Sequence, residues 1–162
     1  GQAIADKLAP WDATVVYHSR RKKEVPYRYF DNLTEMARAC DALIGITPGG
    51  PSTHKIVNAE VLEALGPHGK LINVSRGSVV DEAALIAALT SGKLGWAGLD
   101  VFEAEPVVPQ ALRDLPNTVL LPHVGSATVE TRAAMGALTV DNLLQHLKDG
   151  TVMTPVPECA DL

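Results

Sequence analysis

The chain has 162 residues, 46% of them hydrophobic and 20% charged, which is the balance of a globular domain with a real core. Its formal net charge of -5 provides no general basic field, so nucleic acid is not an expected partner. No apolar run approaches the roughly 20 residues that span a bilayer, and we expect neither a membrane span nor a signal peptide. Cys40 and Cys159 are too far apart to suggest a disulfide framework or a metal site, and a reducing cytoplasm fits this best.

In chain order, the pattern alternates between helices and strands. The predicted helices cover residues 1–8, 31–40, 58–65, 82–90 and 128–148. The predicted strands cover residues 13–17, 42–46, 71–74, 95–101 and 118–121. Asp31, Asn58 and Asp81 are placed to cap the helices that follow them. Strands separated by helices predict an α/β fold with a doubly wound parallel sheet.

The apolar strand from Leu71 to Val74 leads directly into Ser75, Arg76 and Gly77. Ligands of open α/β sheets bind just beyond the carboxyl ends of the strands, so Arg76 is placed to hold an anion. A solvated loop cation is an equally good interpretation of Arg76 taken alone. Further polar residues follow other strand ends, and these groups can converge on one rim of the sheet. They are Ser19 to Arg21, Thr47, Asp100 and His123.

Three segments resemble the signatures of one family, the D-isomer-specific 2-hydroxyacid dehydrogenases. They are Val74 to Gly77, Gly98 to Pro106 and Pro122 to Ala127, and they occur in the order found in that family. The resemblance extends from Gly1 to about Gly150 and is greatest to the glyoxylate/hydroxypyruvate reductases. It implies a Rossmann-type sheet, a small 2-oxo acid as substrate and a homodimer.

The resemblance implies a catalytic triad of Arg76, Glu105 and His123. Arg76 matches the residue that binds the substrate carboxylate, a task suited to a guanidinium because it forms two parallel hydrogen bonds. His123 matches the acid that protonates the carbonyl oxygen, and Glu105 matches the carboxylate that orients the imidazole and favours its protonated form. Without the resemblance, a surface acid and a helix-cap histidine are the simpler interpretations. His54, His68 and His146 are interpreted as ordinary histidines.

The resemblance also implies a set of residues that contact the cofactor. Asp100 matches a residue near the nicotinamide carboxamide, while Thr47 and Pro48 match a loop beneath the ribose. The full predicted set is Gly1, Gln2, Ser19, Arg20, Arg21, Thr47, Pro48, Val74, Ser75, Arg76, Asp100, His123, Gly125 and Ser126.

The loop after the first predicted strand indicates which dinucleotide is preferred. NAD-preferring Rossmann domains place an acid at this strand end, where it accepts a hydrogen bond from the ribose 2′-hydroxyl. Here His18 stands at that position, and Ser19, Arg20 and Arg21 follow it. A serine hydroxyl and arginine side chains bind a 2′-phosphate, so NADP is predicted, with NAD as the alternative cofactor. A merely solvated basic run is the competing interpretation.

The glycine fingerprint G-x-G-x-x-G, expected between the first strand and the first helix, is represented at most by its final glycine, Gly1. We therefore expect residues 1–150 to form a dinucleotide-binding domain without its first, central strand. Residues 151–162 are expected to be a tail that returns towards a substrate domain. On this prediction the chain is part of a longer protein and is inactive alone.

The sequence favours an NADPH-dependent reductase that converts a small 2-oxo acid to the D-2-hydroxy acid. A dinucleotide-sensing binding protein of the corepressor type is the alternative, because those proteins carry similar motifs. The basic run after the first predicted strand argues against this alternative, because those sensors use NAD(H) and carry an acid at the strand end, where His18 stands here. Formate or phosphite oxidation is disfavoured, because formate dehydrogenases carry a glutamine where Glu105 stands.

Overall fold

A computed structural model describes residues 1–156. The chain divides into two compact units, one from Gly1 to Pro122 and one that begins at His123. Each unit is described separately below. Cys159 and the end of the predicted tail, residues 157–162, lie outside the described residues.

The first unit is built from short parallel strands and short helices. Its strands are β1 Val16–His18, β2 Arg28–Phe30, β3 Ala42–Gly45, β4 Lys70–Asn73, β5 Trp96–Leu99 and β6 Thr118–Leu120. Its α-helices are α1 Gln2–Leu8, α2 Leu33–Arg38, α3 Ala59–Leu65, α4 Glu82–Thr90 and α5 Gln110–Arg113. Short 3-10 turns cover Ala9–Trp11, Pro51–Thr53 and Gly77–Val79.

The strands form two parallel sheets, one with the order β1-β2 and one with the order β3-β4-β5-β6. A doubly wound sheet has the order 3-2-1-4-5-6. Both observed sheets are parallel and their strands alternate with helices along the chain, as in such an arrangement. The predicted Rossmann-type sheet without its first strand is therefore confirmed.

The core of the first unit lies between one face of the larger sheet and helices α3 and α4. Leu43, Leu71 and Ala97 are register partners on neighbouring strands, and all three are buried. They belong to the same apolar cluster as Leu62 of α3 and Leu85 of α4. Side chains alternate between the two faces of a strand, and Val74, just beyond β4, is 44% exposed. The segment from Leu71 to Val74 is therefore buried mainly on one face.

Two of the three predicted helix caps are confirmed. The side chain of Asn58 accepts a hydrogen bond from the Val61 amide, and that of Asp81 accepts one from the Ala84 amide. The predicted Asp31 cap is wrong by one residue, because Asn32 accepts from the Glu35 amide. Asn and Asp cap equally well, so residue type alone could not distinguish the two neighbours.

The second unit consists of the loop that starts at His123 and one long helix, α6 Val129–Asp149. Thr128 caps this helix by accepting from the Thr131 amide, and Gly150 ends it with a φ of 79°. Glycine adopts this left-handed conformation without steric cost. No helix within residues 1–156 combines the length and the apolar character required to cross a membrane.

Candidate active site

The turn that presents Arg76 is organised by a buried amide side chain at the end of β4. Asn73 is 1% exposed; its Oδ1 accepts from the Ser75 amide at 3.1 Å and from the Ser75 hydroxyl at 2.7 Å. Its Nδ2 donates to the Arg76 carbonyl oxygen at 3.0 Å. Burying an unpaired polar group costs free energy of folding. The three hydrogen bonds of Asn73 avoid that cost and fix the backbone of the turn. The Arg76 side chain extends from this turn and is exposed.

Two glycines allow neighbouring loops to approach the Arg76 turn. A Cβ atom at Gly49 would lie 2.9 Å from Cγ of Arg76, so the loop after β3 runs directly against the arginine stem. A Cβ atom at Gly77 would lie 2.0 Å from the carbonyl carbon and oxygen of Phe102. The loops after β3, β4 and β5 therefore meet at one edge, as the convergence of strand ends predicts.

Replacing Gly77 by alanine is expected to lower the free energy of unfolding by about 2 kcal/mol, in the range of overpacked cores. The added methyl group would collide with the Phe102 backbone, which cannot rotate away as a side chain can. Chemical denaturation of the intact protein measures the change. Gly98→Ala is the matched control, because its nearest contact is Ile72 Cγ1 at 3.8 Å. Equal stability of the two variants would contradict the close approach at Gly77.

Asp100 and Glu105 belong to the loop that follows β5. Asp100 is 5% exposed, and its amide donates to the Asn73 carbonyl oxygen at 3.0 Å, which joins this loop to the Arg76 turn. Oε1 of Glu105 accepts from the Phe102 amide at 3.0 Å. Glu105 thus shapes its own loop, a structural contribution that the sequence did not indicate.

The side-chain hydroxyl of Thr47 is relevant to cofactor binding. Its Oγ1 is buried and has no hydrogen-bond partner within residues 1–156. Buried hydroxyls are normally paired, so this atom is suited to a ligand hydroxyl such as that of a ribose. The neighbouring Pro48 is fixed in place because its carbonyl oxygen accepts from the Thr53 hydroxyl at 2.7 Å. The residues of this loop fit the predicted dinucleotide.

Gly1 and Gln2 lie at the start of α1. A Cβ atom at Gly1 would lie 2.7 Å from Cδ1 of Ile46, so the missing side chain lets the helix start close to the end of β3. This is the packing role of the third glycine in a dinucleotide fingerprint. The side chain of Gln2 donates to Oδ1 of Asp6 at 2.9 Å and to the hydroxyl of Tyr27 at 3.3 Å.

The predicted phosphate-binding residues form a loop just beyond β1. His18 is the last residue of that strand, and its Nδ1 is 3.0 Å from the Phe30 carbonyl oxygen. Arg20 and Arg21 are exposed, as an anion site at the surface requires. The Ser19 hydroxyl donates to the Arg21 carbonyl oxygen and so closes the loop internally.

In the second unit, His123 adopts the left-handed backbone region with a φ of 55°. This conformation is uncommon outside glycine, although histidine adopts it more often than most residues, as asparagine and aspartate do. Residues in sparsely populated backbone regions concentrate at functional sites. His123 and Ser126 line a cleft of about 430 Å3 together with Arg132 and Met135. The exposed Gly125 belongs to the same turn as Ser126.

The structure brings Thr47, Pro48, Ser75, Arg76 and Asp100 to one edge of the larger sheet. His123, Gly125 and Ser126 belong to the other unit, so the triad with Arg76 and Glu105 remains a prediction. Asn73 was missed, although an amide inside the apolar run from Leu71 to Val74 was a visible signal. Arg132 was also missed, because only the course of α6 places it in the cleft of His123.

Cys40 and the metal-ligating residue types of the described part of the chain form a separate question. Burial, and next the charge of Asp41, raise the pKa of the Cys40 thiol, which keeps it protonated and poorly nucleophilic. Among the described residues, no group of three or more His, Cys, Asp or Glu side chains could hold a metal ion.

The fold and the site together define a dinucleotide-binding domain of the Rossmann type. The defining features are the parallel sheets, the loops that glycines allow to pack closely at the strand ends, and the buried Thr47 hydroxyl without a partner among the described residues. The chain belongs to the D-isomer specific 2-hydroxyacid dehydrogenase family, whose NAD binding domain matches residues 1–125. The family predicted from the three motifs is therefore confirmed.

Named relatives are similar over nearly the whole chain. Hydroxyphenylpyruvate reductase of Plectranthus scutellarioides is 49% identical over 157 residues, which cover 96% of this chain and 50% of the relative. Glyoxylate/hydroxypyruvate reductase A of Arabidopsis thaliana is 48% identical, with the same coverage. The structure of the NADPH-dependent glyoxylate/hydroxypyruvate reductase of Sinorhizobium meliloti, in complex with NADP and malonate, superposes with a TM-score of 0.95 at 54% identity. That match covers 98% of this chain and 50% of the other, so the chain spans about half the length of its relatives.

Proposed function

We propose that this chain is the cofactor-binding part of a reductase that converts a small 2-oxo acid of the glyoxylate or hydroxypyruvate type to the D-2-hydroxy acid. NADPH is the preferred cofactor in this proposal, with NADH as a weaker alternative. Residues 1–150 form the dinucleotide-binding domain in this proposal. The proposed enzyme is a cytoplasmic homodimer.

The observation that carries the proposal is the Arg76 turn. The arginine stands at the carboxyl end of a central strand, on a backbone turn that Asn73 fixes with three hydrogen bonds, and this makes it a prepared site for a carboxylate. One Arg76 N–H group donates to the Ser75 carbonyl oxygen, which aligns the side chain and leaves other donors of its fork for a ligand. A substrate with a carboxylate next to its reacting carbonyl fits this arrangement.

In this proposal, each member of the triad has a separate task. Arg76 binds the carboxylate and polarises the adjacent carbonyl group. His123 donates a proton from its imidazole to the carbonyl oxygen as negative charge develops there. Glu105 orients the imidazole and favours its charged form.

The predicted cofactor residues are assigned by the part of the dinucleotide that each would hold. When bound, the reduced nicotinamide supplies the hydride. Gly1 and Gln2 contact the pyrophosphate, the orphan hydroxyl of Thr47 pairs with a ribose, and Pro48 shapes that loop. Val74, Ser75, Asp100, Gly125 and Ser126 would border the nicotinamide. Ser19, Arg20 and Arg21 hold the 2′-phosphate.

The proposal is tested by steady-state kinetics of the intact protein with NADPH and with NADH. Glyoxylate, hydroxypyruvate and pyruvate are compared as substrates, and the configuration of the product is determined. We expect the highest kcat/KM with NADPH and one of the first two acids. Cofactor binding without turnover of any 2-oxo acid would instead support a dinucleotide-sensing protein.

The double substitution Arg20→Asp and Arg21→Ala is expected to raise the KM for NADPH about 100-fold, because two charge-assisted contacts are lost and a repelling carboxylate is added. The KM for NADH is expected to change by less than about threefold, since NADH has no 2′-phosphate for these side chains to bind. The measurement is the ratio of kcat/KM for the two cofactors.

Arg38→Ala is the control for this double substitution, because Arg38 is an exposed arginine at the end of α2. The control removes one positive charge and changes no residue of the loop after β1. If the ratio of kcat/KM for NADPH and NADH is unchanged in the double variant, Arg20 and Arg21 do not bind the 2′-phosphate.

A further inference from the structure

Residues 19–23, which we call the basic loop, are fastened at both ends by tyrosine hydroxyls. The Tyr17 hydroxyl donates to the Lys23 carbonyl oxygen at 3.0 Å and accepts from the Lys23 amide at 2.8 Å. The Tyr29 hydroxyl donates to the Ser19 carbonyl oxygen at 3.0 Å. All three contacts reach the backbone of the loop, so they fix its path and leave its side chains available.

The two tyrosines form one support. Tyr17 of β1 and Tyr29 of β2 are register partners in the parallel pair. Their ring centroids are 5.3 Å apart, with the ring planes at 47°. Aromatic rings at this separation attract each other, and a tyrosine has few rotatable bonds to immobilise. The hydroxyl groups are therefore presented to the loop from a rigid base.

The opposite face of the same strands anchors that base. Val16 and Phe30 pack against the core cluster of the first unit. The guanidinium carbon of Arg28 lies 4.5 Å above the centre of the Phe30 ring, which is a cation–π contact. The strand pair thus connects the tyrosines to the core, although it is not hydrogen-bonded to the larger sheet within the described residues.

A fixed loop has a consequence for ligand selection. A flexible loop must lose conformational entropy when it closes on an anion, whereas a preorganised one does not. The Ser19 hydroxyl closes the loop further by donating to the Arg21 carbonyl oxygen. Arg20 and Arg21 therefore extend from a backbone that is already in place, while both side chains stay exposed.

We propose that Tyr17 and Tyr29 are positioning residues for cofactor selection: they hold the basic loop in the form that binds the 2′-phosphate of NADPH. The proposal rests on the NADPH preference proposed above. The two hydroxyls act only through the loop, so they influence the part of the cofactor that distinguishes NADPH from NADH. A general loss of folding would weaken the binding of NADPH and NADH alike.

The test is the substitution Tyr17→Phe in the intact protein, with Tyr29→Phe as a second variant. Each keeps the ring and its packing and removes only the hydroxyl. We expect the Kd of NADPH to rise about fivefold for Tyr17→Phe, which loses two hydrogen bonds, and about threefold for Tyr29→Phe, which loses one. The Kd of NADH is expected to stay within about twofold. Nucleotide fluorescence gives both values, and the difference between competition by 2′,5′-ADP and by 5′-AMP isolates the contribution of the 2′-phosphate.

Tyr27→Phe is the matched control, because the Tyr27 hydroxyl contacts the Gln2 side chain rather than the basic loop. We expect it to leave the ratio of the two dissociation constants unchanged. If Tyr17→Phe and Tyr29→Phe also leave that ratio unchanged while the double substitution at Arg20 and Arg21 alters it, the positioning role is refuted and the phosphate site stands. If the wild-type protein itself binds NADPH no better than NADH, the proposed cofactor preference fails and the positioning role fails with it.

Discussion

Replacing His123 by asparagine is expected to lower kcat of the intact enzyme by about two to four orders of magnitude, the scale of lost general-acid catalysis. Asparagine is chosen because His123 has a φ of 55°, a conformation that asparagine adopts more readily than most residues. The variant therefore keeps the backbone of the loop and loses the proton donor. Stopped-flow measurement of NADPH oxidation by a 2-oxo acid gives the rate of the reduction step.

The Kd of NADPH should change little in the His123 variant, since the proposed loss concerns the proton transfer. His68→Ala is the control, because His68 is an exposed histidine in the turn before β4. We expect that control to keep its turnover. A His123 variant that reduces the substrate at a near-normal rate would remove His123 from the mechanism.

Replacing Arg76 by lysine is expected to lower kcat/KM for the 2-oxo acid by about 100-fold, although the positive charge is kept. Lysine offers a single ammonium group, whereas a guanidinium forms two parallel hydrogen bonds with a carboxylate. The lysine side chain is also shorter and has no guanidinium group. It therefore loses the hydrogen bond that Arg76 donates to the Ser75 carbonyl oxygen, which aligns the arginine side chain. Initial rates over a range of substrate concentrations separate KM from kcat.

The control for Arg76 is Arg113→Lys, an exposed arginine of α5 in the same unit. We expect its kinetic constants to match those of the wild type. Inhibition by malonate, a dicarboxylate without a reactive carbonyl, gives a second measure that does not depend on turnover. Unchanged substrate and malonate binding by Arg76→Lys would show that no carboxylate contacts this residue.

Local chemistry made parts of the fold predictable. Asn58 and Asp81 each precede an apolar helix, and an amide or carboxylate there has an unpaired backbone N–H within reach. The strand β2 was missed, because Arg28 to Phe30 is only three residues long and follows a polar loop. Its pairing with β1 depends on contacts between residues 12 apart, which no local pattern contains.

The candidate site also has one part that the sequence could predict and one part that it could not. Arg76, Asp100 and Thr47 could be predicted as neighbours, because parallel strands place their carboxyl ends on one edge. The support beneath them could not be predicted. The hydrogen bonds of Asn73, the close approach of Gly77 to Phe102 and the two tyrosines under the basic loop all depend on how the chain folds back.

By itself, the sequence determined which chemical groups stand at the ends of strands, and hence the family and the class of reaction to expect. Those properties follow from residue type and spacing, which the folded chain leaves unchanged. Only the tertiary structure decided which backbone groups hold Arg76 and the basic loop in place, and it buried the Thr47 hydroxyl without a hydrogen-bond partner among the described residues. The reason is physical: the position of a hydrogen bond between distant residues depends on packing, because neither partner alone specifies where the other will lie.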